Sequence, residues 1–399
     1  MRRLGRRPTH RMLRARRRLR AGLAQLICAA AGAAAGLLLP RVDAGPTVDG
    51  SRLVEPMFTL GVGVIGVVSI VFSLLFGVVQ WSASSFTPRL GLFRADPLVW
   101  RTFAFAIGVF VYCAVAALAS ADHLRVSVVV PGAAIVGVLA AVVLLRRLQT
   151  KAFLSLQLAH VLEAIVARGR EVVADLYPPL DSALEQPRDA QHAQLPPRRR
   201  SVAWTGRSGV VQQLELRRLV SAATDSDVVV VFRIGVGDTL HEGATLADLH
   251  GGDLQDDVVR RAVVRGSERS FDQDPLLAFR LLADIGLRAL SPAINDPATA
   301  VDTIDAVEGL LLAVARRDVE VGDVRDEAGA LRARLVLPSW EDYLETSVSD
   351  LVPAASPFTM VLSRLLRLLD ELLRVVAPDQ RPALERLAAD VRARLAAGR

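Results

Sequence analysis

The chain has 399 residues, 52% of them hydrophobic, and a formal net charge of +6. Residues 1–151 contain 19 Lys/Arg and 5 Asp/Glu, whereas residues 152–399 contain 29 and 37, so the basic excess belongs to the N-terminal part alone. Nucleic-acid binding needs a basic surface that displaces counterions from phosphates, and a net-acidic C-terminal region argues against it.

Four long apolar stretches lie within the first 150 residues. They cover residues 21–39, 58–79, 103–119 and 126–145, and none contains a Lys, Arg, Asp, Glu or His. A helix needs about 20 apolar residues to cross the hydrocarbon core of a bilayer. The sequence therefore predicts a transmembrane domain over residues 21–147, with four spans in the lipid bilayer.

The positive charges between the spans predict the orientation. The basic tail over residues 1–20 holds ten arginines, the loop at 81–102 holds three, and three more cations follow the fourth span. The two other loops together carry three. Loops rich in Lys/Arg stay in the cytoplasm, so both termini are expected there. The bias toward Arg, Ala and Val suggests a GC-rich bacterial genome, and hence a multi-pass protein of the bacterial cytoplasmic (inner) membrane.

The first span has a second interpretation. Its basic start, its apolar stretch and the following Val42-Asp43-Ala44 could also form a signal peptide with its cleavage site. The stretch is long for a signal peptide, which favours a retained span. Cleavage would leave the orientation of the other three spans unchanged.

Small and weakly polar residues recur along the second span at steps of three and four. On a helix these residues fall within an arc of about 120°. They are Thr59, Gly63, Gly66, Ser69, Ser73 and Gly77. One interpretation is a packing seam that lets a neighbouring helix approach closely, as Gly32 and Gly36 would do in span one. The other is a weakly polar pore lining in a homo-oligomer.

The C-terminal part changes its periodicity along the chain. Residues 148–177 continue as a membrane-proximal helix, and residues 178–200 form a Pro-rich linker. Residues 201–250 are β-rich, and residues 251–399 are mostly helical. The predicted fold class is mainly α: a four-helix transmembrane N-terminal region, then a cytoplasmic α+β domain with a small β barrel-like unit plus helices.

No cofactor is expected. The run from Gly237 to Leu246 resembles hairpins of the biotinyl/lipoyl-type barrel-sandwich folds, which carry their cofactor on a lysine in a tight turn. Lys151 is the only lysine of the chain, so this resemblance implies fold alone. P-loop and Schiff-base chemistry also need a lysine. The templates of serine hydrolases and zinc proteases are absent, and an enzyme is not expected.

One segment of the C-terminal part resembles a known family. The run Ala289-Leu290-Ser291-Pro292-Ala293-Ile294-Asn295-Asp296-Pro297, preceded by Glu268-Arg269-Ser270 and Gln273-Asp274-Pro275, is similar to a bacterial family of predicted four-span membrane proteins of unknown function. The resemblance extends through the Thr87-Pro88-Arg89 loop and most of the chain. Ala298 departs from it, since an aromatic residue is expected there. The resemblance implies the arrangement of the membrane spans and the C-terminal domain, but it implies no biochemical activity.

Polar residues around this segment form the candidate functional motif. Its members are Glu268, Arg269, Asp274, Arg280, Asp284, Arg288, Ser291, Asn295 and Asp296. The first interpretation is an ion-pair ladder on one helical face, formed by Arg280, Asp284 and Arg288 at spacings of four. A site that holds a divalent cation through carboxylate oxygens is the second.

Asp296 has a structural explanation of its own. It precedes Pro297, and proline is favoured at the first position of a helix. Asp296 is therefore expected to be an N-cap that accepts from the free amides of Ala298 or Thr299.

Three functions are compatible with the sequence alone. The first is an oligomeric pore or transport component with a cytoplasmic regulatory domain. The second is a membrane-anchored scaffold or sensor that binds an unknown soluble partner through its acidic domain. The third is a membrane-bound enzyme with an unrecognised site.

Overall fold

The computed structural model describes residues 17–42, 45–85, 97–121, 124–154, 157–179, 195–319 and 322–397. The chain forms two compact units that divide between His160 and Val161, and each is described by itself. The basic tail up to residue 16, the Thr87-Pro88-Arg89 loop and most of the Pro-rich linker lie outside the described residues.

Four long helices build the N-terminal unit. They are α1 (Arg17–Leu38), α2 (Val54–Ser85), α3 (Pro97–Ala121) and α4 (Val129–Leu154). Each contains a segment long and apolar enough to cross a membrane. The four predicted spans are confirmed.

Helix α3 lies at the centre of this unit. Half of its membrane segment is buried, against 17% in each of the other three helices. A Cβ atom added to Gly32 of α1 would stand 2.2 Å from the carbonyl oxygen of Gly108, and one on Gly36 would stand 2.9 Å from Cβ of Val115. The expected close approach of span one is therefore confirmed, and its neighbour is α3.

The loops after spans one and three meet in a short antiparallel ribbon. Strand β1 (Thr47–Val48) pairs with β2 (Val126–Ser127), with Thr47 opposite Ser127. The prediction that span four begins at residue 126 is therefore wrong, since α4 begins at Val129. Valine suits a strand as well as an apolar helix, so composition alone does not fix this boundary.

The membrane-proximal helix is not continuous. Helix α4 runs on to Leu154, and a separate helix, α5 (Leu158–Leu176), follows it. The prediction of one helix over residues 148–177 is therefore wrong. Helix α5 buries one apolar face, which includes Val161, Ile165 and Val172.

In the described part of the C-terminal unit, eight strands form two sheets. They are β3 (Arg198–Ala203), β4 (Gly209–Leu214), β5 (Val228–Gly235), β6 (Thr239–Leu240), β7 (Thr245–Gly251), β8 (Val263–Gly266), β9 (Asp323–Arg325) and β10 (Leu331–Val336). The five-stranded sheet has the order β3-β7-β5-β10-β9, and the three-stranded sheet has the order β6-β4-β8. Among the described strands of these two sheets, β5 and β10 form the one parallel pair.

One hydrophobic core joins the two sheets. Val230, Phe232 and Leu249 of the five-stranded sheet share it with Val211 and Val263 of the three-stranded sheet. Strand β5 is buried on both faces except at Arg233. A strand covered on both sides needs an almost continuous apolar sequence, and residues 228–235 supply one.

The expected boundaries of the β-rich unit and of the linker are wrong. Strand β3 begins at Arg198, inside the segment predicted as a linker to residue 200. Strands β8, β9 and β10 lie beyond residue 250 and complete the same two sheets. The clearest case is Ala333 of β10, which pairs with Val230 of β5.

The helices of the C-terminal unit follow and separate these strands. They are α6 (Leu216–Asp225), α7 (Asp256–Arg261), α8 (Leu276–Ala289), α9 (Pro297–Ala315), α10 (Trp340–Leu344), α11 (Leu351–Ala354), α12 (Thr359–Val375) and α13 (Arg381–Ala397). Helix α9 packs on α8 and α12, and α12 packs on α13. A π-helical turn, Glu345–Ser349, lies between α10 and α11.

Candidate functional site

The segment that leads into α8 is held against strand β4. Nε2 of Gln212 donates to the carbonyl oxygen of Glu268 at 2.6 Å. Oε1 of Gln273 accepts from the N–H of Leu214 at 2.9 Å, and its Nε2 donates to the Leu214 carbonyl at 3.4 Å. The Gln273 amide therefore pairs with β4 much as a strand residue would, which fixes the backbone path of this segment.

Arg269 and Asp274 form a bidentate ion pair within that segment. Arg269 Nε and Nη2 donate to the two carboxylate oxygens at 2.6 and 2.8 Å, and the Asp274 side chain is only 1% exposed. Asp274 also accepts from the N–H of Leu277 in the first turn of α8. A Cβ on Gly237 would stand 2.7 Å from Arg269 Nη2, so the turn before β6 lies directly against the pair.

The expected ladder along α8 is only partly present. Arg280 Nε lies 3.0 Å from the Asp284 carboxylate, and its Nη1 lies 3.9 Å from Asp350. Nε of Arg288 is buried and has no hydrogen-bond partner among the described residues. The ladder is therefore observed between Arg280 and Asp284, whereas Nε of Arg288 makes no hydrogen bond that would extend it.

The loop after α8 is closed by hydrogen bonds of its own. Ser291 Oγ donates to the Arg288 carbonyl at 2.7 Å, and the N–H of Asp296 donates to the Ala289 carbonyl at 2.8 Å. Asn295 adopts φ of 51°, in the left-handed region where Asn is among the tolerated residues. Its side chain is exposed.

Asp296 is the N-cap of α9, as expected. Its carboxylate accepts from the N–H of Thr299 at 3.1 Å and from the Thr299 hydroxyl at 2.7 Å. The hydroxyl bond and then the backbone bond lower the pKa of Asp296 below its ordinary value. An ionised carboxylate at the positive end of the helix dipole fits this position.

The candidate motif does not converge on one point. Asp274 contacts the first turn of α8, whereas Asp296 contacts its last residue, and 14 helical residues separate two such ends by about 20 Å. Arg269 and Asp274 form one cluster, Arg280 and Asp284 a second, and the capping loop a third. In the part of the chain that the structure describes, no three His, Cys, Asp or Glu side chains are grouped to hold a metal ion.

Sequence reasoning missed a buried tyrosine pair. Tyr343 donates its hydroxyl to that of Tyr177 at 2.9 Å, and its ring lies 4.9 Å from the Phe279 ring. Burial raises the pKa of Tyr177 to about 12 and also raises the pKa of Tyr343. Both rings therefore remain neutral and join the end of α5 to α10. Nothing in the sequence distinguishes them from ordinary core aromatics.

A second missed cluster surrounds Asp248 on β7. This carboxylate is 3% exposed, and it accepts from Ser201 Oγ at 2.6 Å and from Arg233 Nε at 2.7 Å. Arg198 lies at 3.4 Å. Burial opposes the ionisation of Asp248, but the bonds from Ser201 and Arg233 hold its pKa below the ordinary value. The strand pairing that creates this cluster is not visible in the sequence.

The small-residue stripe of α2 faces away from the other three helices. Thr59, Gly63, Ser69, Ser73 and Gly77 are exposed, and Gly66 is half-buried. A Cβ added to any of the three glycines would meet no atom within 4 Å in the described residues. Among the described residues of the N-terminal unit nothing packs closely on these glycines, so the packing-seam interpretation is wrong for the helices of this unit.

A different face of α2 makes the contacts within the unit. Met57, Val64 and Val68 are buried there, and a Cβ on Gly61 would stand 3.0 Å from Cβ of Cys113 in α3. Because this face already binds α2 to its neighbours, the stripe remains available.

The fold defines a class: an integral membrane protein with four N-terminal membrane-crossing helices and a C-terminal region of sheets and helices. A family model described as "Predicted membrane protein (DUF2254)" matches residues 21–371. Since this match covers most of the chain, the protein belongs to the DUF2254 family. The resemblance to predicted four-span membrane proteins is thereby confirmed at the level of the family.

Relatives occur in mycobacteria. The uncharacterized proteins Rv1290c of Mycobacterium tuberculosis and Mb1321c of Mycobacterium bovis are each 27% identical to this chain over 333 residues. The match covers 80% of this chain and 63% of each relative, so the chain spans less than two thirds of their length. No solved structure matches it.

Proposed function

We propose that the protein is an oligomeric pore or transport component of the bacterial inner membrane, and that its C-terminal unit is a cytoplasmic regulatory domain. In this proposal several copies associate through the α2 stripe and no reaction is catalysed. The observation that carries it is the outward position of Thr59, Gly63, Ser69, Ser73 and Gly77.

Packing chemistry supports this use of the stripe. In a bilayer, helices associate by close van der Waals contact and by hydrogen bonds between hydroxyl side chains, and glycine permits the closest approach. A single copy would leave this stripe against lipid, where it offers little side-chain contact. In a symmetric assembly, hydroxyl-bearing Ser69 and Ser73 instead supply a weakly polar surface near the axis.

Charge and geometry together support the proposed orientation. Sixteen Lys/Arg lie on the assigned cytoplasmic segments and three on the assigned external loops. The β1–β2 ribbon joins the two external loops, which agrees with both lying on one side of the membrane.

Ion flux into proteoliposomes tests the proposal. Wild type should conduct, and Ser69→Leu with Ser73→Leu should abolish conduction while the protein still inserts, because leucine is favourable in lipid. Gly132→Leu on α4 is the matched control, since its Cβ position is also open. Conduction by the double variant at the wild-type level would contradict the pore.

The alternative is a membrane-anchored scaffold or sensor without conduction. The net charge of −8 over residues 152–399 favours it, since an acidic surface attracts a basic soluble partner. This alternative predicts no flux from wild-type protein and salt-sensitive capture of such a partner by the C-terminal unit.

A further inference from the structure

The C-terminal end of α4 carries a dense group of cations, here called the α4 basic cluster: Arg146, Arg147 and Lys151. All three are exposed. Together with Val143 and Thr150 they line a shallow groove of ≈ 450 Å³. In the sequence these charges indicate the orientation of the spans, and the proposed pore does not involve them.

No carboxylate lies close in the sequence to the two arginines of the cluster. No Asp or Glu occurs in the sequence between Asp122 and Glu163. Among the described residues, neither Arg146 nor Arg147 has an ion-pair partner. Guanidinium groups with open donors are well suited to bind phosphate oxygens, because their fixed fork of N–H groups matches that geometry.

An apolar surface continues directly from the cluster along the same helix. Val143, Arg147 and Lys151 follow one another at spacings of four, so they lie on one line along α4. Val136, Leu139, Val142 and Val143 are 66%, 60%, 55% and 53% exposed. One helical turn rises 5.4 Å, so the cations begin about one turn beyond the last exposed valine.

We propose that the α4 basic cluster binds the phosphate of an anionic phospholipid, whose acyl chains lie along the exposed surface from Val136 to Val143. The charges match an anion, and the adjoining apolar surface matches a lipid rather than a free phosphate. Thr150 adds a hydroxyl beside the groove, although that hydroxyl already donates to the Arg146 carbonyl. Basic groups at the membrane surface attract anionic headgroups.

Native mass spectrometry of the full-length protein tests this site. The probes are phosphatidylglycerol, phosphatidylcholine and soluble glycerol 3-phosphate, each titrated into detergent-purified protein. Wild type should retain phosphatidylglycerol in preference to phosphatidylcholine and should not bind glycerol 3-phosphate. Arg146→Gln with Arg147→Gln and Lys151→Gln should weaken phosphatidylglycerol binding on the order of a hundredfold. The arginine-rich tail is present in every variant, so its contribution cancels.

The matched control removes three exposed cations from the C-terminal unit by Arg217→Gln, Arg218→Gln and Arg386→Gln, and it should bind like wild type. The milder Arg147→Gln variant should show an intermediate loss if the triple variant does not fold. Equal binding of both lipids by wild type would overturn the proposal. The proposal would also be overturned if the triple variant retained phosphatidylglycerol as strongly as wild type does. Binding of glycerol 3-phosphate as tight as that of the lipid would reject a lipid site.

Discussion

At the scale of single residues, the polar groups of the C-terminal unit are used mainly to hold helix ends and strands in place. Asp274 ties Arg269 to the first turn of α8, and Asp296 caps α9. The cap was predictable from sequence because an Asp before a proline is a local signal. The Arg269–Asp274 pair was not, because the spacing of five residues carries no such signal and the pair lies against Gly237, more than thirty positions earlier.

Substitution of Asp296 separates capping from charge. Asp296→Ala should lower the free energy of unfolding by about 1 kcal/mol, whereas Asp296→Asn should cost only a few tenths, because asparagine caps nearly as well. Thermal unfolding of detergent-solubilised protein measures both. A loss for Asp296→Asn as large as that for Asp296→Ala would show that the negative charge carries the stabilisation.

The lowered pKa of Asp296 adds a pH dependence to this comparison. A carboxylate whose folded pKa lies below its unfolded value stabilises the protein above the unfolded pKa, and the contribution disappears as the pH falls through the folded pKa. Any advantage of wild type over Asp296→Asn should therefore be complete at pH 7 and should fade below pH ~4.

At the scale of elements, glycines on α1 and α2 have opposite surroundings. Gly32 lies against the backbone of α3, whereas Gly63 faces open space. The sequence predicted close packing for span one and left a packing seam or a pore lining open for span two. Which glycines meet a neighbour depends on how each helix is rotated, and the sequence does not show that. The sequence also did not show which strand pairs with β10, because its partner β5 lies far away in the chain.

Alanine substitution distinguishes the two glycines. Gly32→Ala should destabilise the protein by about 1–3 kcal/mol, because the added methyl forces α1 away from α3. Gly63→Ala should leave the stability of the single chain unchanged. Thermal unfolding in one detergent compares them, and equal losses in the two variants would contradict the helix arrangement.

At the scale of the whole molecule, the layout was the most predictable feature. The length of an apolar span and the charges beside it can each be read from a short segment of sequence. The four membrane helices were therefore predictable from composition. The candidate site was not, because its members lie at opposite ends of α8. The α2 stripe was visible in the sequence, and only the structure showed that the other described helices of the N-terminal unit leave it exposed.

Reporter fusions test the proposed topology. A reporter fused after Arg399 should behave as cytoplasmic, and one inserted at Gly45 should behave as external, because 16 of the 19 flanking cations lie on the assigned cytoplasmic side. Gly45 is exposed, and no described residue lies within 4 Å of its Cβ position, so an insertion should be tolerated. A cytoplasmic signal from the Gly45 insertion would reverse the orientation.

The central claim is association through the α2 stripe, and the mass of the protein in lipid nanodiscs tests it most directly. Wild type should form an assembly of several copies. Gly63→Leu should reduce it to single copies, because the larger side chain fills the surface that another helix would contact, while Gly132→Leu should leave the assembly intact. Wild-type protein that remains monomeric in lipid would contradict the claim.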